Sequence, residues 1–291
     1  MTNWLFGIPY EAAFWEAVYA NPKERDKLFN FSHLGCPISL DGFDAAAFLL
    51  SRPQPEQALV LDVGCGMTFY PGDHILNGNK KIPINIHYID PLARYYNKIA
   101  EQNHVNVPKV EFGMLEYLSS FYPDHNVTLI IINNALDHSA NPLKGIIEAI
   151  HSLKTGGILY LNHHPNEAEA ENYRGFHQYN ITIEEEALII WNKQQRLDIN
   201  RLLAGFAQVT TLYAGQNPVA IIEKTQAVPE HLLDHPADIK TLCEALLDFS
   251  YQLTNEKKWH YPLKTTFYRI VQRLSKLLPF RLRQKIKSIL K

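Results

Sequence analysis

Leu59-Val-Leu-Asp62-Val-Gly64-Cys-Gly66 decides the fold: an apolar strand runs straight into an acid and two glycines at its carboxyl end. Glycines at such a turn let backbone approach a ligand closely, and in an open α/β sheet nucleotide-like ligands sit in the crevice beyond the strand ends. A dinucleotide fingerprint needs a third glycine three residues after the second, and that position is Phe69. No Gly-Lys-Ser/Thr follows the turn either, which argues against a triphosphate loop.

Twenty-four residues beyond Gly66, the strand Ile84-Asn-Ile-His-Tyr-Ile-Asp90 ends in a second acid, placed to accept hydrogen bonds from ribose hydroxyls. Close backbone approach, a ribose carboxylate and acidic surroundings suit S-adenosylmethionine, a cationic adenosyl ligand without phosphate. These residues resemble the class I S-adenosylmethionine-dependent methyltransferases: Asp62, Gly64 and Gly66 match that family's first motif and Asp90 its second. The resemblance runs from about residue 58 to 224, through Val127-Thr-Leu-Ile-Ile-Ile132-Asn133-Asn-Ala-Leu-Asp137-His138 and Leu153-Lys-Thr-Gly156-Gly157. It departs from the family at Thr68, where many members carry glycine, and at Met114, where many place an acid for the adenine amine. It implies S-adenosylmethionine as cofactor, held by Asp62, Gly64, Gly66, Asp90 and Asn133, with adenine meeting backbone near Met114 and Leu115; Glu116 is a weak substitute for the missing acid. A narrower likeness, to a bacterial subgroup associated with surface-polysaccharide gene clusters, rests on Ile8-Pro-Tyr10-Glu-Ala-Ala-Phe14-Trp15, Asp90-Pro-Leu-Ala, Asn134-Ala-Leu-Asp-His-Ser139, Asn166-Glu-Ala-Glu and Gly175-Phe-His177-Gln178-Tyr-Asn180.

Strands near 58–63, 84–89, 109–112, 127–132 and 157–161 alternate with helical stretches near 92–103, 114–121 and 142–154. Such alternation predicts a doubly wound, Rossmann-like α/β sheet, mostly parallel. The family's antiparallel terminal strand falls in the pair 207–213 and 218–224. Residues 1–55 read as an N-terminal helical segment, either a lid or a helix packed on the sheet, and 56–226 as the cofactor domain with an insertion at about 162–206. A connector and helix follow over 227–264, with Ile239, Leu242, Leu246, Leu247 and Phe249 spaced for one apolar face, and then a basic tail over 265–291.

Methyl transfer from a sulfonium needs alignment above all, and a hydroxyl acceptor also needs help in losing its proton. His138, just past the fourth strand, is the leading catalytic candidate, with Asp137 to orient a ring or act on its own; the bland reading is a capping acid and a loop-packing ring. Adjacent residues leaving a strand point to opposite sides, so one of His163 and His164 faces the acceptor; His163, nearer the strand end, is preferred as a base. His164, Glu167, Tyr173 and His177 are candidate acceptor contacts of the kind that bind a sugar. Several of these are metal-ligand types, but no compact spacing such as His-Glu-x-x-His joins them, so no metal is expected.

With 46% apolar residues among 291, the chain can bury a full core. The start lacks a secretory pattern and the odd set Cys36, Cys65 and Cys243 lacks metal spacing, so free thiols in the cytoplasm are expected. The net charge of −2 hides an asymmetry: residues 257–291 hold 11 of the 28 Lys and Arg and none of the 30 Asp and Glu, leaving residues 1–256 at −13. Apolar positions at helical spacing within that basic tail suit an anionic membrane surface at the inner face, and base-reading residues are too sparse for nucleic acid. The expected partner is a small-molecule or lipid-linked glycan acceptor, and the expected reaction its O-methylation. The alternatives are a non-catalytic cofactor-binding adaptor in a membrane-associated biosynthetic complex, and a nicotinamide oxidoreductase.

Overall fold

The computed structural model describes residues 2–29, 32–173, 176–233 and 238–256. The basic tail expected over 265–291 lies outside the described residues. The N-terminal segment carries α1 (Thr2–Ala20), α2 (Pro22–Phe29) and α3 (Ala45–Leu50). The central sheet is built from β1 (Leu59–Val63), β4 (Asn85–Asp90), β5 (Val110–Phe112), β6 (Val127–Asn133), β7 (Leu153–Asn162), β11 (Ala207–Ala214) and β12 (Asn217–Lys224). Between β1 and β4 lies a hairpin of β2 (His74–Asn77) and β3 (Lys80–Pro83). The flanking helices are α4 (Ala93–Gln102), α5 (Leu118–Phe121) and α6 (Pro142–Ser152). The insertion contributes α7 (Glu167–Ala170), β8 (Asn180–Glu184), β9 (Ala187–Trp191), β10 (Arg196–Asp198) and α8 (Ile199–Leu203), and α9 (Ile239–Glu256) comes last.

The strand order is β11-β12-β7-β6-β1-β4-β5. The block from β7 to β5 is parallel, and β12 alone runs antiparallel to its neighbours. This is the expected doubly wound, Rossmann-like sheet with an antiparallel strand near one edge. Side chains along each central strand alternate between two cores. Leu61, Ile130 and Ile132 meet Ile146 and Ile150 of α6 on one face, whereas Val60, Leu129 and Ile131 meet Leu49 of α3 and the hairpin residues Ile75 and Ile82 on the other. Asn141 fixes the start of α6 by accepting from the Lys144 amide at 3.1 Å, a cap worth about 1 kcal/mol, and Pro142 fills the first turn. In α9 the expected apolar face is only partly used: Leu242 is 57% exposed and its neighbour Cys243 is buried, because the helix leans on α1 and α5 through the next residue round.

The β1-to-β4 crossover departs from the usual βαβ unit. No helix follows the glycine turn; the hairpin takes the outer face, and α1 packs against α4 and the turn itself. Tyr19 anchors α1 there by donating its hydroxyl to the Met67 carbonyl at 2.9 Å.

Candidate active site

The turn after β1 is held open by left-handed backbone. Gly64 and Gly66 have φ of 71° and 54°, and a Cβ at Gly64 would stand 2.5 Å from that of Ala135. At Gly66 a Cβ would stand 2.8 Å from the indole of Trp15 in α1. The Gly64 amide donates to the Ile89 carbonyl at 2.8 Å, so the ends of β1 and β4 are clamped together. Asp90 closes the clamp: Oδ1 accepts from the Leu92 amide at 2.8 Å and Oδ2 from the Gly66 amide at 3.1 Å. Burial pushes Asp90 up to about 7, against the pull of those two amides. Asp62, also buried, is pushed up to about 8 by burial and by the Asp90 charge.

A cavity of about 460 Å³ opens above this clamp. Gly64, Gly66, Asp90, Leu115 and Asn133 of the expected cofactor set line it. Asp62 and Met114 are not among the lining residues; both are buried. Glu116 does line the cavity, but Oε1 of its carboxylate accepts from the amides of Ala140 and Asn141 at 2.6 and 3.2 Å, which ties it to the loop before α6. Phe69, the residue that argues against a dinucleotide, is fully buried in edge-on contact with Tyr88 and leaves the cavity clear.

The N-terminal helix supplies a wall. Glu11, Phe14 and Trp15 of α1 face the cavity, and Trp15 donates its indole N–H to Glu11 at 2.8 Å while meeting Tyr96 edge-on at 6.0 Å. In the sequence, Phe14, Trp15 and Val18 fall on one side of this helix, which fits a lid and a packed helix equally.

On the opposite rim, β6 ends in a short turn carrying Asp137 and His138, and the loop before β8 brings in His177. The Gln178 amide donates to the Asp137 carbonyl at 3.3 Å and holds the two segments side by side. His177 Nδ1 lies 2.8 Å from Asp137 Oδ2 and 3.1 Å from His138 Nε2. Burial disfavours charge on His177, yet the hydrogen bond to Asp137 and its charge prevail and the pKa rises. Asp137 is correspondingly low: burial acts upward, and the His138 charge with the His177 hydrogen bond outweighs it. His138, His164 and His177 line the cavity, and Glu167 stands behind His177 with Oε2 3.9 Å from its Nδ1.

Two expected contacts fall elsewhere. His163, preferred over His164 as a base, is 1% exposed, with neither ring nitrogen hydrogen-bonded among the described residues, and burial drives its pKa down to about 4. The strand's alternation turns it inward and puts His164 on the rim, where its Nδ1 is 3.2 Å from Asn217 Oδ1. Tyr173 is turned away too: its hydroxyl accepts from Asn180 at 3.1 Å and Lys193 sits 4.3 Å over its ring.

No family model matches the chain, and no curated protein does. Solved structures do. The CurJ carbon methyltransferase aligns with a TM-score of 0.38 at 17% identity, over 61% of this chain and 51% of that one. The T. thermophilus 16S rRNA N2 G1207 methyltransferase, solved with AdoMet and guanosine, gives 0.34 at 16% over 67% and 42%. A SAM-dependent methyltransferase from Aquifex aeolicus gives 0.35 at 15% over 62% and 98%. The aligned part thus spans about half of the CurJ chain and less of the ribosomal RNA enzyme. With likeness this distant, the fold rests on the strand order itself.

Proposed function

We propose that the chain transfers the methyl group of S-adenosylmethionine to an oxygen of a sugar, a glycan precursor or a related polyhydroxylated small molecule. The observation that carries this reading is the Asp90 carboxylate, fixed by the Gly66 and Leu92 amides at the base of the cavity. A carboxylate so held keeps lone pairs for the two hydroxyls of a ribose. The turn beside it runs into no helix, so the dipole end that receives a pyrophosphate is missing, while Asp90 and Glu11 favour a cationic ligand. Adenosyl cofactor on this side leaves the sulfonium facing the rim of His138, His164 and His177. Asp137, His138 and His177 there supply the electrostatics that a hydroxyl needs to lose its proton.

The test is a melting-temperature shift with S-adenosylhomocysteine and with NAD, followed by methyl-release assays on nucleotide sugars and lipid-linked glycans. S-adenosylhomocysteine is expected to raise the melting temperature and NAD to leave it unchanged; the reverse pattern overturns the reading. For the tail, the proposal is attachment to anionic membrane, supported by its charge and apolar spacing. Deleting residues 265–291 is then expected to abolish sedimentation with phosphatidylglycerol vesicles, and binding that survives the deletion overturns it. Among the described residues, no helix is long and apolar enough to cross a membrane.

A further inference from the structure

We propose that Asp137, His138 and His177 hold one divalent transition-metal ion at the rim of the cavity, with the Glu167 carboxylate beside His177 at 3.9 Å. Three donor atoms converge there: Asp137 Oδ2, His138 Nε2 and His177 Nδ1, separated by 2.8, 3.1 and 3.6 Å. Ligands about 2.1 Å from a common ion and at right angles to one another are about 3 Å apart, so these atoms already outline one face of a coordination sphere. Hydrogen bonding accounts for the cluster less well. An imidazole Nδ1 carries either one N–H or one lone pair, and here it lies within bonding distance of both a carboxylate oxygen and a second ring nitrogen.

Two further atoms point to a missing cation. Asp137 Oδ1 and Glu167 Oε2 are buried with no hydrogen-bond partner among the described residues. The side chains against Asp137 Oδ2 are the imidazoles of His138 and His177, which carry no permanent charge. A bound dication supplies permanent charge at a carboxylate that is 3% exposed. Two nitrogens and one or two carboxylates select Mn²⁺, Co²⁺ or Zn²⁺ over Mg²⁺ and Ca²⁺, which prefer all-oxygen sets. Because His138 and His177 line the cavity, coordination positions stay open toward an incoming oxygen. The role rests on the proposed function: the ion would bind the acceptor hydroxyl and raise its acidity, the proton released on methyl transfer would pass to His164 on the same rim or to water, and the His138 and His177 nitrogens would serve as ligands.

The experiment uses the full chain, dialysed against EDTA and titrated with Co²⁺ by calorimetry and visible absorption. The expected result is one ion per chain with d–d bands, and a dissociation constant weakened at least about tenfold by His138→Ala and by His177→Ala. His87→Ala, at a separate exposed ion pair with Glu111, is expected to leave binding intact. S-adenosylhomocysteine binding reports folding in each variant, and His138→Gln replaces the alanine variant if that one does not fold. Absent cobalt binding in a chain that still binds S-adenosylhomocysteine overturns the metal site and spares the proposed function. Cobalt binding insensitive to both histidine substitutions also overturns it. Intact cobalt binding without S-adenosylhomocysteine binding keeps the site and overturns the function.

Discussion

The Gly66 amide and the Asp90 carboxylate are joined at 3.1 Å across the mouths of two adjacent parallel strands, so the glycine turn and the acid that ends β4 form one unit. Asp90→Asn is expected to weaken S-adenosylhomocysteine binding about 10- to 100-fold, the cost of losing a charged acceptor for the ribose hydroxyls. Wild-type affinity should fall as pH drops through about 7, where the buried carboxyl takes a proton, and the asparagine variant should show a flat profile. Calorimetry between pH 6 and 8 checks both.

Gly66→Ala places a methyl 2.8 Å from the Trp15 ring on a backbone with φ of 54°. The strain is about 1 kcal/mol or more, and cofactor affinity is expected to fall at least about tenfold. Adding Trp15→Ala relieves the contact but not the left-handed backbone, so the double variant should recover only part of the loss. Full recovery would show that the dihedral carries no strain.

His163→Leu should keep turnover within a few-fold of wild type, whereas His138→Ala lowers it by a factor on the order of 10². The leucine also changes acid stability. A histidine whose folded pKa is about 4 against an ordinary 6.5 supplies stability that is present above 6.5 and lost as pH falls toward 4, about 3 kcal/mol in all. Melting curves from pH 7 to 5 should therefore be flatter for His163→Leu.

Asp62 has the opposite sign. Its folded pKa near 8 lies above the ordinary 3.8, so its contribution is whole below about 4 and lost as pH rises through 8. Asp62→Asn is expected to remove roughly half or more of any decline in melting temperature between pH 5 and 8. An unchanged slope would place that decline on other groups.

The central strands were legible because apolar runs and the glycine turn are local signals, and β1, β4 and β6 fall within a residue or two of their expected bounds. The hairpin that replaces the first crossover helix was not, since Asp73-His-Ile-Leu-Asn-Gly-Asn-Lys mixes turn and strand residues without a clean period. Nor was the insertion's sheet, order β10-β9-β8, foreseen; its residues were read for hydrogen-bonding groups rather than for the alternation that buries Ile181, Leu188 and Ile190. At the site, neighbours in sequence parted and strangers met. His163 and His164 take opposite sides of a strand end, while His138 and His177, 39 residues apart, meet through a loop that no spacing rule describes.

α1 seats its Trp15 ring on the Gly66 turn and its Tyr19 hydroxyl on Met67, both far downstream in the chain. The ribosome therefore makes this helix before the surface it rests on, which is complete only once β1, β4 and α4 have been synthesised and joined. Until then its apolar side, Ile8, Trp15 and Tyr19, stays exposed to solvent and to chaperones. The nascent chain acquires its cavity only when this earlier segment swings back over later ones.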